Sequence, residues 1–315
     1  MIWTRWTRVI TIWAIMGVMP AALHSPSASS ASRSSIQRPP SRSGEVKLGA
    51  NLVNTFVTVR DQAGRLVSTL EASDFLVLDD GVPQAITYFS RETQLPLSIA
   101  LVIDRSQSVR KRFPFERVAA TRFLEDVLRH GQDRALVVAF DSNVYLIRDF
   151  TDDIPALAAA IRKLTVAGGS SLFDAVYKTC RDKFASHDIG RKILIVVTDG
   201  EDTTSWATLE QASRMALQTD VIVYAIGIRG IEQKTSILKR LTSRTGGRVF
   251  SPKTREEKLA KLFARLQEEL RNQYSIGYTL PHQPDGQFHT LTIRVKRKGM
   301  TVSARRGYYA PRTSP

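Results

Sequence analysis

The chain has 315 residues, of which 43% are hydrophobic and 24% are charged, with 18 glycines and 13 prolines. These proportions are those of a folded protein, and they exclude a fibrous or fully disordered chain. The formal charge is +15, and there is a single cysteine, Cys180. One cysteine excludes an intramolecular disulfide framework and any cysteine-based zinc or iron–sulfur site.

The first 25 residues have the pattern of an export signal. Arg5 and Arg8 precede an apolar run at 9–23, which Pro20 interrupts and small residues follow. A membrane-spanning helix needs about 20 apolar residues, so this shorter run favours a cleaved signal peptide at 1–25 over an uncleaved anchor. We therefore expect an exported protein that is periplasmic, at the cell surface or secreted.

Two segments with strand patterns flank the central part of the chain. Residues 26–45 are mostly serine, arginine and proline and predict a disordered linker. The segments 46–93 and 274–310 have β-rich runs separated by turns such as Asp80-Gly81. Each segment is too small to bury a core by itself. We expect the two to pair into one small all-β sandwich, with the residues between them inserted in it or flanked by it.

The central segment, 95–273, alternates strands and helices. Near-continuous apolar strands separated by amphipathic helices predict a mostly parallel sheet that is covered on both faces. The run 145–147 predicts a short antiparallel edge strand. The predicted strands are 98–103, 135–140, 193–197 and 221–228, and the predicted helices are 114–128, 154–164, 172–184, 209–217 and 255–273.

Carboxylates and hydroxyls follow the ends of these strands. Asp104, Ser106 and Ser108 come directly after one strand, Asp199 follows another, and Ser170 lies in a glycine-rich loop before a helix. In an open parallel sheet such loops meet at one edge. An all-oxygen donor set without histidine or cysteine suits Mg²⁺, Mn²⁺ or Ca²⁺. Two carboxylates neutralise a divalent cation, which then stays electrophilic and accepts a further anionic ligand.

The run 103–108 resembles the Asp-x-Ser-x-Ser signature of von Willebrand factor type A (VWFA) domains. The loop 168–170 and the run 197–200 are similar to that family's second and third metal loops, and they occur in the same order. The resemblance covers 95–273. The three loops together are a far more specific signal than Asp-x-Ser-x-Ser alone.

The segments 74–84 and 306–309 are also similar to a bacterial exported subgroup, the VWFA-related proteins. The resemblance implies an α/β, Rossmann-like fold and a metal-ion-dependent adhesion site (MIDAS). It implies one divalent cation, Mg²⁺ before Mn²⁺ or Ca²⁺, bound directly or through water. The implied ligands are Asp104, Ser106, Ser108, Ser170 and Asp199. An Asp or Glu carboxylate of a protein partner would complete the metal shell.

Three residues depart from the family pattern. Ser170 stands where the family usually has threonine, which keeps the hydroxyl but not the stiff β-branched rotamer. Gln107 replaces the usual glycine. Arg105 places a cation beside the site, which either weakens metal binding or attracts a carboxylate, depending on where its guanidinium points.

Other polar residues have simpler interpretations. Ser171 and Asp174 form a Ser-x-x-Asp pattern, which predicts a helix cap rather than a metal ligand. Glu201 and Asp202 are expected to form a solvated acidic turn. The histidines are scattered and none has the spacing of a metal ligand or a triad, so we expect no enzyme. They are His24, His130, His187, His282 and His289.

The basic excess is concentrated near the C-terminus. It predicts either a solvated strand face or a surface for anionic polymers or lipid. Its residues are Arg294, Lys296, Arg297, Lys298, Arg305 and Arg306. Export and the absence of a recognition motif argue against nucleic acid. The sequence thus predicts an exported, metal-dependent adhesion or scaffolding module. The alternative is an electrostatic binder of anionic envelope components, with a vestigial metal site.

Overall fold

The computed structural model describes residues 52–92, 94–187, 190–228, 232–251, 259–283 and 285–311. The expected signal peptide at 1–25 and the expected linker at 26–45 lie outside the described residues. Within the described ranges, no helix has the length and apolar character that a membrane span requires.

The described residues form the following strands and helices. The strands are β1 (Leu52–Arg60), β2 (Phe75–Asp79), β3 (Val82–Gln84), β4 (Tyr88–Glu92), β5 (Leu97–Asp104), β6 (Arg134–Phe140), β7 (Val144–Thr151), β8 (Arg191–Thr198), β9 (Ile222–Gly227), β10 (Val249–Phe250), β11 (Gln273–Thr279), β12 (Phe288–Val295), β13 (Thr301–Ser303) and β14 (Gly307–Tyr309). The helices are α1 (Phe113–Val127), α2 (Ile154–Arg162), α3 (Leu172–Thr179), α4 (Leu209–Gln218), α5 (Glu232–Thr245) and α6 (Leu259–Leu270).

Six strands form a central sheet in the order β10-β9-β8-β5-β6-β7. All pair in parallel except β7, which is antiparallel to β6 at one edge. Every residue of β5 is buried, as expected for a strand that is covered on both faces. The chain leaves β5 towards β6 on one side and leaves β8 towards β9 on the other. The boundary between β5 and β8 is therefore the topological switch point, where ligands bind in folds of this kind.

The helices cover both faces of the central sheet. Helices α1, α2 and α6 pack on one face through side chains such as Phe123 and Leu266. Helices α3, α4 and α5 pack on the other face through side chains such as Val176 and Leu241. This two-sided packing explains why the strands between the helices are almost wholly apolar.

The flanking segments form two further four-stranded antiparallel sheets, β13-β1-β11-β4 and β14-β12-β2-β3. In the first, Val57 of β1 pairs with Tyr274 of β11. In the second, Val77 of β2 pairs with Ile293 of β12. All four side chains belong to one hydrophobic cluster, so strands from both ends of the chain enclose a shared core.

The structure confirms the predicted fold class: a mostly parallel α/β sheet, with antiparallel sheets built from the N- and C-terminal segments. The predicted edge strand at 145–147 lies within β7. Helix α5 has no counterpart among the predicted helices, because its sequence is mostly polar. The domain boundaries at 46–93, 95–273 and 274–310 stay predictions.

Candidate metal centre

The candidate site lies at the carboxyl edge of the central sheet, at the switch point between β5 and β8. Strand β5 ends at Asp104, and Asp199 directly follows β8. The two strands are parallel neighbours, so both carboxylates reach the same edge. Asp104 is 0% exposed and Asp199 is 2% exposed. Two buried acidic residues therefore share one edge of the sheet.

Asp104 organises the first loop. Its Oδ1 accepts a hydrogen bond from the backbone N–H of Ser106 at 2.9 Å, and its Oδ2 accepts one from the Thr198 hydroxyl at 2.6 Å. The Oγ atoms of Ser106 and Ser108 lie 2.9 Å apart. This loop gathers one carboxylate and two hydroxyls, and Thr198 ties the carboxylate to the end of β8.

Ser170 joins the second loop to the third. Its hydroxyl donates to the backbone carbonyl of Glu201 at 2.8 Å. The N–H of Thr203 donates to the Ser170 carbonyl at 2.7 Å. The N–H of Glu201 donates to Asp199 Oδ1 at 3.1 Å. The buried Ser170 hydroxyl and the Asp199 carboxylate are therefore bound to the two sides of the same residue, Glu201.

Backbone hydrogen bonds also join the first loop to the second. The N–H of Gln107 donates to the Gly168 carbonyl at 3.2 Å, and the N–H of Ala167 donates to the Arg105 carbonyl at 2.8 Å. Gly168 has a φ of +62°, a conformation that glycine adopts without strain. The five predicted ligands thus lie on three loops that hydrogen bonds hold together.

Burial makes the Asp104 carboxyl group hard to ionise. Burial raises the pKa of Asp104 to about 6, and the charge of Asp199 adds to the effect, although hydrogen bonds from Ser106 and Thr198 oppose it. The hydrogen-bond donors to Asp104 are neutral groups. A cation among these loops would offset the electrostatic cost of holding two carboxylates in low dielectric.

A third buried acid, Glu116 of α1, lies close enough to the site for the charges of Asp104 and Asp199 to act on it. Neither of its carboxylate oxygens has a hydrogen-bond partner among the described residues, and the side chain is fully buried. Burial, together with the charge of Asp104, raises the pKa of Glu116 to about 8. The sequence carries a signal for it, because Glu116 follows the buried Phe113 by three residues and precedes the buried Ala120 by four.

The donor set fits a hard divalent cation. It offers carboxylate and hydroxyl oxygens and no sulfur or imidazole, which is the chemistry that Mg²⁺, Mn²⁺ and Ca²⁺ prefer. The carboxylates are buried and the hydroxyl of Ser108 is half-buried, so an external ligand can approach from that side. The residues present therefore suit the metal that the sequence pattern predicts.

The guanidinium of Arg105 is held by a neighbouring acid. It binds Asp141 through Nε at 2.9 Å and through Nη2 at 2.8 Å, and it lies over the Tyr145 ring at 5.1 Å. Asp141 thereby neutralises the cation that the sequence places next to Asp104. The ion pair forms part of the rim of the site.

The capping box predicted for Ser171 and Asp174 is wrong. Ser171 precedes α3, but its buried hydroxyl makes no cap hydrogen bond. The first N–H groups of α3 donate instead to the third loop: that of Phe173 to Asp202 Oδ1 and that of Asp174 to Ser205 Oγ. Asp202 is therefore a capping residue for α3, and not only part of a solvated turn.

The predicted basic residues have different neighbours. Arg297 forms an ion pair with Asp74 at 3.1 Å, and Arg305 forms one with Asp220 at 2.7 Å. Arg306 lines a cavity of about 530 Å³ that is rich in other cations. These cations are Lys239, Arg240, Arg244 and Arg248. Arg294 in β12 and Lys298 after it are exposed, and the exposed Lys296 donates through Nζ to the Ser73 carbonyl at 2.7 Å.

The doubly wound sheet, with acidic and hydroxyl-bearing loops at its switch point, places this chain among the α/β domains that bind ligands at the carboxyl edge of the sheet. The family model of the von Willebrand factor type A domain matches residues 98–265, more than half of the chain. The chain belongs to the von Willebrand factor type A domain family. No curated protein sequence matches it significantly.

Solved structures share the fold at low sequence identity. Proximal thread matrix protein 1 from the mussel byssus, solved with a zinc-occupied MIDAS motif, matches with a TM-score of 0.51 and 18% identity over 61% of this chain and 49% of that chain. The vWF domain of the type V pili tip protein Mfa5 from Porphyromonas gingivalis has a TM-score of 0.47 and 14% identity, over 56% of this chain and 95% of that one. At these identities, the mussel protein supports the fold alone.

Proposed function

We propose that this protein is a metal-dependent protein-binding module that serves in adhesion or scaffolding. It captures an Asp or Glu side chain of a partner through one divalent cation. The observation that carries this proposal is the meeting of buried carboxylates and serine hydroxyls at the switch point of the sheet, with neutral groups as the donors to Asp104. The proposed ligands are Asp104, Ser106, Ser108, Ser170 and Asp199.

Each residue has a definite part in this proposal. Asp104 and Asp199 supply the negative charge that holds the cation, and the three serines fix its position with uncharged oxygens. Thr198 and the Glu201 N–H orient the two carboxylates. When bound, the cation supplies a Lewis-acidic centre for the partner's carboxylate. Mg²⁺ is the proposed ion, with Mn²⁺ and Ca²⁺ as alternatives.

Binding rather than catalysis is proposed because the described residues offer no exposed nucleophile with a base. Ser98 Oγ lies 2.7 Å from His187 Nε2, but Ser98 is fully buried at the start of β5. A nucleophile must reach its substrate, so this pair is a core hydrogen bond. Proximal thread matrix protein 1, which shares the fold, is a protein of the mussel byssus. An exported location, through the predicted signal peptide, is part of the proposal.

The test compares two buried serines. Ser170 and Ser213 are both buried, and each hydroxyl donates to a backbone carbonyl, but Ser213 lies in α4 away from the loops. With Mg²⁺ at one hundred times its Kd, we expect a stabilisation of about 2.7 kcal/mol. Asp104→Ala should abolish it, Ser170→Ala should reduce it, and Ser213→Ala should leave it intact.

Partner capture is measured with the same variants. Capture from an envelope extract should occur with Mg²⁺, be lost on chelation and be lost in Asp104→Ala. If Asp104→Ala keeps both the stabilisation by Mg²⁺ and the capture, the proposal is wrong.

The alternative function rests on Arg306 and the basic cavity that it lines. In that case the partner is an anionic polymer or lipid of the envelope. Binding would survive chelation but fall steeply with added salt, because exposed charges are screened. The same capture experiment, repeated with chelator and then with salt, distinguishes the two functions.

A further inference from the structure

We propose that Asp79, His282 and His289 form a second metal site, in the β-sandwich, which takes a borderline transition-metal ion such as Zn²⁺. One donor atom from each residue lies within 4.8 Å of the others. Two imidazoles and one carboxylate are a donor set typical of zinc, unlike the oxygen-only set at the sheet edge. The site is separate from the proposed MIDAS and does not depend on it.

Asp79 provides the strongest observation. It ends β2 and is 2% exposed. Its Oδ2 accepts hydrogen bonds from the Tyr278 hydroxyl at 2.9 Å and the Tyr308 hydroxyl at 2.7 Å. Its Oδ1 is buried and has no hydrogen-bond partner among the described residues. A buried carboxylate oxygen without a donor is costly, and a metal ion at this oxygen would remove that cost.

Nδ1 of each histidine ring faces an oxygen acceptor, while Nε2 of His282 lies 3.2 Å from the Tyr308 hydroxyl. Nδ1 of His289 lies 2.8 Å from Asp80 Oδ2, and Nδ1 of His282 lies 3.1 Å from the Gln283 carbonyl. A metal-binding histidine commonly donates its other ring N–H to a carboxylate or a carbonyl, which fixes the tautomer. In this arrangement Nε2 of each ring is the nitrogen that binds the metal.

Asp80 is itself firmly held. Its Oδ1 accepts hydrogen bonds from the backbone N–H of Thr290 at 2.7 Å and from the Thr290 hydroxyl at 2.8 Å. These hydrogen bonds fix the Asp80 carboxylate beside the His289 ring, where its Oδ2 lies 2.8 Å from Nδ1. An outer carboxylate held in this way orients the histidine that it supports.

Asp285 supplies a fourth donor. Its Oδ1 lies 3.2 Å from His289 Nε2. Two ligands on one tetrahedral zinc ion, each about 2.0 Å from the metal, lie about 3.3 Å apart. The 3.2 Å contact is a hydrogen bond in the structure, and it is also short enough for both atoms to bind one metal ion. The rings of His282 and His289 stack with their centroids 3.5 Å apart. To bind the same metal, the half-exposed His282 ring would turn so that its Nε2 leaves the Tyr308 hydroxyl and faces Asp79.

Such a metal would link the N-terminal β segment to the C-terminal β segment. Asp79 belongs to the N-terminal β segment, whereas His282 and His289 belong to the C-terminal one. A protein with a single cysteine cannot staple these segments with an intramolecular disulfide. A ligand that binds only the folded state stabilises it by an amount that grows with the logarithm of the ratio of ligand concentration to Kd. The second site would thus stabilise the packing of the two β segments in the sandwich.

The test uses Co²⁺, whose visible absorption reports tetrahedral coordination, in an Asp104→Ala background that removes the first site. We expect about one equivalent of tightly bound Co²⁺, displaced by Zn²⁺. His282→Gln should weaken its affinity at least tenfold and abolish the absorption. His130→Gln is the matched control, because His130 also lies near an acid, Asp152 at 3.8 Å, but is exposed.

Two outcomes would overturn the proposal. One is the absence of a tetrahedral cobalt spectrum in the background variant. The other is a spectrum that His282→Gln leaves intact. His282 is half-exposed, so its variant should stay folded, and circular dichroism verifies that. Failure here would leave the proposed MIDAS untouched, since the background variant lacks that site.

Discussion

The two edges of the central sheet treat buried carboxylates in opposite ways. At the amino edge, Asp133 is fully buried and binds Arg129 at 3.1 Å and Arg271 at 2.5 Å. Although burial acts to raise it, these hydrogen bonds hold the pKa of Asp133 below its ordinary value. At the carboxyl edge, Asp104 and Glu116 are equally buried, yet their pKa values are raised to about 6 and about 8, chiefly by burial.

This difference in the partners of the buried acids distinguishes a structural edge of the sheet from a candidate binding edge. Arginines compensate the acid at the amino edge, so its charge stabilises the fold. At the carboxyl edge the donors to Asp104 are neutral and Glu116 has no hydrogen-bond partner among the described residues. The charge of Arg112 only partly offsets the burial of Glu116. Buried acids without an ion pair cost stability, and that cost is typical of a site prepared for a ligand.

Removing the acid at each edge should have opposite effects. Asp133→Asn removes the carboxylate that pairs with Arg129 and Arg271, and it should lower the free energy of unfolding by about 3 kcal/mol. Asp104→Asn removes a buried charge whose hydrogen-bond donors among the described residues are neutral groups, so it should be neutral or stabilising by about 1 kcal/mol in chelator. Urea denaturation of both variants in chelator measures this. Equal destabilisation by the two variants would show that the acids at the two edges contribute to stability in the same way.

Glu116→Gln should change how stability depends on pH. Because burial raises the pKa of Glu116 from 4.5 to about 8, the folded chain binds this proton more tightly than the unfolded chain. Its contribution to stability is full below pH 4.5 and is lost as the pH rises through about 8. Without metal, the variant should therefore lose about 4 kcal/mol less than the wild type across this range.

Urea denaturation at a series of pH values, in chelator, provides the measurement. Glu125→Gln is the matched control, since Glu125 lies on the same helix but is exposed. A Glu116→Gln profile that runs parallel to the wild-type profile would mean that Glu116 is not the titrating group.

The smallest expected effect concerns the ion pair at the rim. Asp141→Asn should leave the Arg105 cation uncompensated beside the metal and weaken Mn²⁺ binding about twofold to fivefold. The double variant Asp141→Asn with Arg105→Ala should recover most of that affinity, because it removes both charges. Isothermal titration with Mn²⁺ checks it. If the single and double variants bind equally, Arg105 has no influence on the metal.

Features that depend on neighbouring residues in the sequence could be predicted for this molecule. Contacts between residues that are distant in the sequence could not. Asp104, Ser106 and Ser108 were identifiable because they follow an apolar strand at fixed spacing. Helix α5 was missed because its polar sequence forms a helix through tertiary packing of a few side chains such as Leu241. Glu116 carried a signal as an acid on an apolar helix stripe, but its proximity to Asp104 comes only from the fold.

The histidines show the same limit more strongly. His282 and His289 have no ligand spacing in the sequence, and their acidic neighbour Asp79 is about two hundred residues away. Pairing of β2 with β12 brings the three together. Sequence spacing alone therefore misses sites that antiparallel strands from opposite ends of a chain create.

The central claim is that the carboxyl edge of the sheet holds a divalent cation among three loops. An anomalous difference map from crystals grown with Mn²⁺ tests it most directly. A peak about 2.0–2.6 Å from oxygens of Asp104, Ser106 or Ser108, with Ser170 and Asp199 bound directly or through water, is the predicted result. A map with ordered loops and no manganese peak at this edge would contradict the claim.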